Sequence, residues 1–198
     1  MTLPSLLVLT DAAQCTGALT DTVAAAVRHG ARAVVLREKH LPASERSELA
    51  RALRTELELV GGMLIVAGAA DGVAEAYGDG VHLASAEAMP ARRPAVVGRS
   101  CHCAAEVRRA VHGGCDYVTL SPVFPTPSKP GYGPVLGLDG FDALARSAPP
   151  AYALGGVTPA EVPACRSAGA AGVAAMGAVM RDPSTVATFL DALQEVSP

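Results

Sequence analysis

A parallel (β/α)8 TIM barrel is the fold this sequence predicts, on three observations. Eight short runs rich in Val, Leu, Ile and Ala recur along the chain, and such near-continuous apolar character marks strands buried on both faces. Alanine-rich helical stretches separate most of them, the alternation of a sheet covered on its outside by helices. No Gly-x-Gly-x-x-Gly follows the first run, which disfavours a doubly wound open sheet, the competing architecture. The 198 residues sit at the small end for a barrel and predict a single domain over 1–198.

In order, the first strand is expected over 6–10 and the first helix over 19–28, stopped at His29-Gly30. The second strand is expected over 33–39, which puts Val35, Arg37 and Lys39 on one face and Leu36 and Glu38 on the other. A helix over 42–59 follows. Strands over 63–66, 80–83, 95–99 and 117–120 come next, with an irregular connection after the fourth. Strands over 151–155 and 172–176 complete the eight, and the last helix is expected over 183–194.

Composition narrows the functional classes. Half of the residues are hydrophobic, yet no apolar run reaches the roughly 18–20 residues needed to span a membrane. The opening MTLPSLLVLTDAA has no basic leader and reads as the first strand. A net charge of −3, the lack of basic runs and 4% aromatic content argue against a nucleic-acid partner. Cys15, Cys101, Cys103, Cys115 and Cys165 form an odd, scattered set, which fits a reducing cytoplasm better than a disulfide framework. Cys101-His102-Cys103 has no second ligand cluster at usable spacing, so small buried residues near a strand end are the better reading than a metal site.

In a barrel, the carboxyl ends of the strands converge on one mouth. The polar residues there are Asp11, Arg37, Lys39, His82, Ser100, His102 and Ser121, with Gly155 and Gly156 after the seventh strand. Arg37 and Lys39 together suit an anion; the alternative is simple pairing with Glu38 or Asp11. The stretch YVTLSPVFPTPSKPGYGPVLGL, 117–138, runs from a strand into a long loop carrying Thr126, Ser128 and Lys129. Two hydroxyls and a cation suit a phosphate-bearing small molecule, although a surface connection restricted by prolines reads similarly. Gly155-Gly156 and Met176-Gly177 fall where barrels commonly build a phosphate cradle, while glycines at strand ends also serve close packing.

These residues resemble the thiamine phosphate synthase and TenI family. The matching stretches are VVLREK (34–39), DGVHL (79–83), GRSCH (98–102), CDYVTLSPVFPTPSKPG (115–131), ALGGVTP (153–159) and AGAAGVAAMGAV (168–179), in the family's order and spacing. The resemblance covers nearly the whole chain and implies a thiamine-biosynthesis barrel. In the synthases, a hydroxymethylpyrimidine pyrophosphate loses pyrophosphate, and the nitrogen of hydroxyethylthiazole phosphate attacks the resulting cation. That chemistry needs cations around the leaving group more than it needs a base. The resemblance implies that Arg37 and Lys39 bind pyrophosphate, assisted by Ser100 and Lys129. It implies that Thr126 and Ser128 position the thiazole, and that Gly155, Gly156, Met176 and Gly177 hold the thiazole phosphate.

The chain departs from the family pattern at one end of the site. Val35 replaces a glutamine, and Ala67-Gly68 replaces an Asn-Asp whose aspartate is a Mg²⁺ ligand in the synthases. A second acidic position becomes Glu87, so Mg²⁺ is expected only if synthase activity is retained, with Glu87 as a possible ligand. Loss of pyrophosphate features with retention of thiazole features also fits the TenI-type thiazole tautomerases. There, the histidine of that branch is replaced by Pro122, leaving His102 and His82 as candidate proton carriers. A non-catalytic binder of thiazole phosphate or thiamine phosphate is the third reading. Pairing into a homodimer is a further expectation, and no membrane partner is expected.

Overall fold

The computed structural model describes residues 3–126 and 134–195. Eight parallel strands pair in sequence order, and β8 hydrogen-bonds back to β1 to close the barrel. They are β1 Leu6–Leu9, β2 Ala33–Leu36, β3 Met63–Ala67, β4 Gly80–Leu83, β5 Val96–Cys101, β6 Tyr117–Leu120, β7 Ala151–Leu154 and β8 Gly172–Ala175. The helices among the described residues are α1 Leu19–Arg28, α2 Ala43–Glu58, α3 Val73–Tyr77, α4 Ala104–His112, α5 Gly137–Ala145, α6 Val162–Ser167, α7 Gly177–Arg181 and α8 Thr185–Gln194. The connection after β4 carries no helix, as its sequence predicts, and two helices follow β8.

Strand alternation divides the apolar residues into two cores. Leu7, Leu9, Val35, Ile65, Tyr117 and Tyr152 fill the barrel, whereas Leu6, Val8, Val34, Leu36, Leu64 and Val66 face the helices. Helix α1 meets that outer layer with Leu19, Val23, Ala26 and Val27, and α2 with Ala50, Leu53 and Leu57, both at helical spacing. The amino-terminal half of the barrel is plugged by aromatic rings. Tyr117 fits there because Gly98 faces it: a Cβ at Gly98 would lie 2.0 Å from the Tyr117 ring. With that half filled, the open volume is confined to the carboxyl ends of the strands.

The second strand is shorter than expected. It ends at Leu36, after which the Lys39 amide donates to the Arg37 carbonyl in a tight turn. The cause is Glu38, which is buried and accepts from the Thr10 hydroxyl and from the amides of Ala12 and Arg37. A carboxylate pulled inward among three donors folds the chain out of the ladder.

Candidate active site

The cavity at the carboxyl end of the barrel has a volume of about 820 Å³. Leu9, Ala67, Leu154 and Ala174 supply apolar lining, and polar residues from six strand ends surround it. Of the residues expected there, Arg37, Lys39, Ser100, His102, Thr126, Gly155, Gly156, Met176 and Gly177 all line this one cavity. Ser128 and Lys129 lie outside the described residues. Arg37 and Lys39 reach the cavity from the turn after β2, so their shared side does not come from strand alternation.

Neither cation pairs with Glu38 or Asp11. Arg37 donates to the Thr10 carbonyl at 3.2 Å and touches the Met176 thioether, with no carboxylate partner among the described residues. Asp11 is used locally, accepting from the Ala13 amide and the Gln14 side chain. Lys39 pairs at 3.0 Å with Glu87, 48 residues away in the helix-free connection after β4. Both Glu87 oxygens are engaged: one accepts from the Ala69 amide, the other from the Ala84 amide and Lys39. Burial works against its charge, but the Ala84 amide, the Lys39 ammonium and the Ala69 amide together hold its carboxyl below the usual range.

His82 is held more tightly than a mouth residue would be. Its Nδ1 lies 2.9 Å from the Tyr117 hydroxyl and its Nε2 2.9 Å from the Ser100 hydroxyl. Burial, reinforced by the nearby Lys39 and Arg37 charges, lowers its pKa to about 3. The ring is therefore neutral near pH 7. One nitrogen then donates and the other accepts, so the two hydroxyls bond to it in opposite senses. His102 differs: its Nδ1 lies 2.7 Å from the Ser121 carbonyl, which can only accept. In the neutral ring, Nδ1 therefore carries the proton and Nε2 the lone pair.

Across the rim, the backbone sets the shape. Gly155 and Gly156 have φ of +92° and +68°, and a Cβ on Gly156 would lie 2.4 Å from the Pro125 carbonyl oxygen. This packing joins the β7 turn to the loop carrying Thr126. Gly177 opens α7, where a first-turn N–H has no intrahelical partner. Arg181, four residues on in the same helix, also lines the cavity and donates to Gln14 at 2.8 Å. Sequence reading missed it, together with His40 and Thr158; its spacing of four from Gly177, one helical turn, was the available signal. Cys101 is buried and Cys103 exposed, and no group of three metal-ligating side chains occurs among the described residues.

Comparison with known proteins agrees with this architecture. A family model described as thiamine monophosphate synthase matches residues 6–179. A putative thiamine-phosphate synthase of Geobacter sulfurreducens is 40% identical over 188 residues, covering 90% of this chain and 88% of the relative. A thiamine-phosphate synthase of Roseiflexus sp. is 36% identical over 174 residues, covering 84% and 73%. The solved thiamine phosphate pyrophosphorylase of Pyrococcus furiosus superposes with a TM-score of 0.84 at 27% identity, covering 98% and 97%. No helix among the described residues is long and apolar enough to cross a membrane. A closed eight-stranded barrel, its cations and glycines gathered at one mouth, and these matches together make the chain a member of the thiamine monophosphate synthase family.

Proposed function

We propose that this chain is a transferase that joins hydroxymethylpyrimidine pyrophosphate to hydroxyethylthiazole phosphate. The observation that carries this reading is the shared cavity, where Arg37 and Lys39 stand in the same space as Gly155, Gly156 and Gly177. In the reaction, the bond between the pyrimidine methylene and the pyrophosphate oxygen breaks, and the electron pair leaves with pyrophosphate. The thiazole nitrogen supplies the pair for the new C–N bond, so no proton need move. Catalysis then rests on stabilising the leaving charge, which Arg37 and Lys39 are disposed to do, with the Ser100 hydroxyl oriented by neutral His82. The apolar lining would shield the short-lived cation from water, and the glycine turn and Gly177 would receive the thiazole phosphate. The test is incubation of the purified chain with both substrates, measuring thiamine phosphate and released pyrophosphate. Absence of product with and without added Mg²⁺ would reject the transferase reading.

A second reading, tautomerisation of a thiazole carboxylate phosphate, is favoured by one observation, a His102 ring that lines the cavity and is oriented through Nδ1 by the Ser121 carbonyl. Turnover of that substrate that falls in His102→Ala, with no coupling activity in the parent chain, would select it.

A further inference from the structure

The positions at which this family's acidic residues would hold a divalent cation come together in the fold, and a lysine stands between them. Gly68 follows β3 and Glu87 lies in the connection after β4; a Cβ on Gly68 would be 3.1 Å from Lys39 Nζ and 3.4 Å from a Glu87 oxygen. The residues present do not fit Mg²⁺. Gly68 offers no ligand, Glu87 has both oxygens engaged by N–H donors, and the Lys39 ammonium occupies the space between the two positions. Asp71, the next carboxylate along that loop, is bound by Arg46.

We propose that the Lys39–Glu87 pair takes the place of the divalent cation, so that this chain holds a pyrophosphate group on the Lys39 ammonium without metal. Two further observations support a built arrangement. The loops on either side are braced by buried guanidiniums. Arg99, 1% exposed, donates to the carbonyls of Ala84, Ser85 and Glu87 at 2.7–3.1 Å. Arg46, 3% exposed, donates to the Ala67 carbonyl at 2.7 Å and binds Asp71. Both loops therefore keep their positions through internal donors. The electrostatics also balance: a dication on two carboxylates and an ammonium on one carboxylate both sum to zero. The Lys39 side chain remains 43% exposed, so a ligand can reach it while Glu87 holds its far side.

This inference rests on the transferase reading, because it assigns the pyrophosphate end of that site. It is tested by calorimetric titration of inorganic pyrophosphate into the intact chain, once with EDTA and once with Mg²⁺, and by Mn²⁺ paramagnetic resonance with and without protein. Equal affinity in both titrations and a Mn²⁺ signal unchanged by protein are expected. Lys39→Met should weaken binding about tenfold or more in EDTA, as loss of a charged hydrogen bond does. Glu87→Gln should tighten it, because a competing anion is removed, whereas a metal-ligating Glu87 would give weaker binding in Mg²⁺. Tenfold tightening by Mg²⁺, or protein-bound Mn²⁺ lost in Glu87→Gln, overturns the inference and leaves the transferase reading standing. No pyrophosphate binding under either condition overturns the inference, and the transferase reading falls with it only if product formation is absent as well.

Discussion

The cavity has two rims built on different principles. The rim after β2, β3 and β4 is made of side chains that meet across long sequence distances, as Lys39 and Glu87 do. The rim at β7 and β8 is made of backbone, with Gly155 and Gly156 in the left-handed region and packed against the loop after β6. Side chains can be exchanged without moving the chain, so the first rim is where a site changes its chemistry. Backbone shaped by glycine tolerates little change, so the shape of the second rim is the harder of the two to alter.

That contrast can be broken by measurement, beginning with the largest effect. Arg37→Ala should lower coupling activity about 100-fold or more, the scale of losing a donor to developing charge. Its melting temperature should change little, because the guanidinium is half-buried and makes few polar contacts. Similar activity in the variant would remove the first rim from the chemistry.

The next comparison is between glycines of the two rims. Gly156→Ala should cost about 3 kcal/mol in urea unfolding, since it combines a left-handed φ with a backbone collision. Gly68→Ala should cost only about 1–2 kcal/mol, because its φ of +83° is strained but its nearest contact, 3.0 Å away, is the flexible Lys39 side chain. Equal costs would erase the distinction between a backbone rim and a side-chain rim.

His82, beneath the first rim, gives a pH signature. Its folded pKa of about 3 lies below the value near 6.5 expected of the unfolded chain. The unfolded chain therefore binds the proton first, and stability contributed by the neutral ring is lost as pH falls from about 6.5 toward 3. The slope should approach about 1.4 kcal/mol per pH unit within that window and disappear in His82→Gln, as read from urea unfolding at pH 7 and pH 5. The smallest effect is on the ion pair itself. Lys39→Met should change stability by less than about 1 kcal/mol, because the pair is partly exposed, while pyrophosphate affinity falls. A large loss of stability would mean that Lys39 is chiefly structural.

The eight strands were readable in the chain because apolar runs and helical periodicity are local signals. Arg37, Lys39, His82 and Ser100 were readable as mouth residues because strand ends in a barrel share one side. Strand β2 ran short of expectation because Glu38 answers to Thr10 and Ala12, which are close only in space. Arg181 escaped notice for a related reason: α7 follows β8 so closely that a helix residue reaches the mouth.

By itself, then, the order of residues determined the barrel, most of the groups brought to its mouth and the departure from the family's Asn-Asp at Ala67-Gly68. Tertiary structure alone decided what fills that gap. Periodicity governs neighbours along one strand or helix, whereas the partner of a charge depends on which loops the closed sheet brings together. Only there does Lys39 meet Glu87 beside Gly68, and His82 bind Tyr117 on one nitrogen and Ser100 on the other.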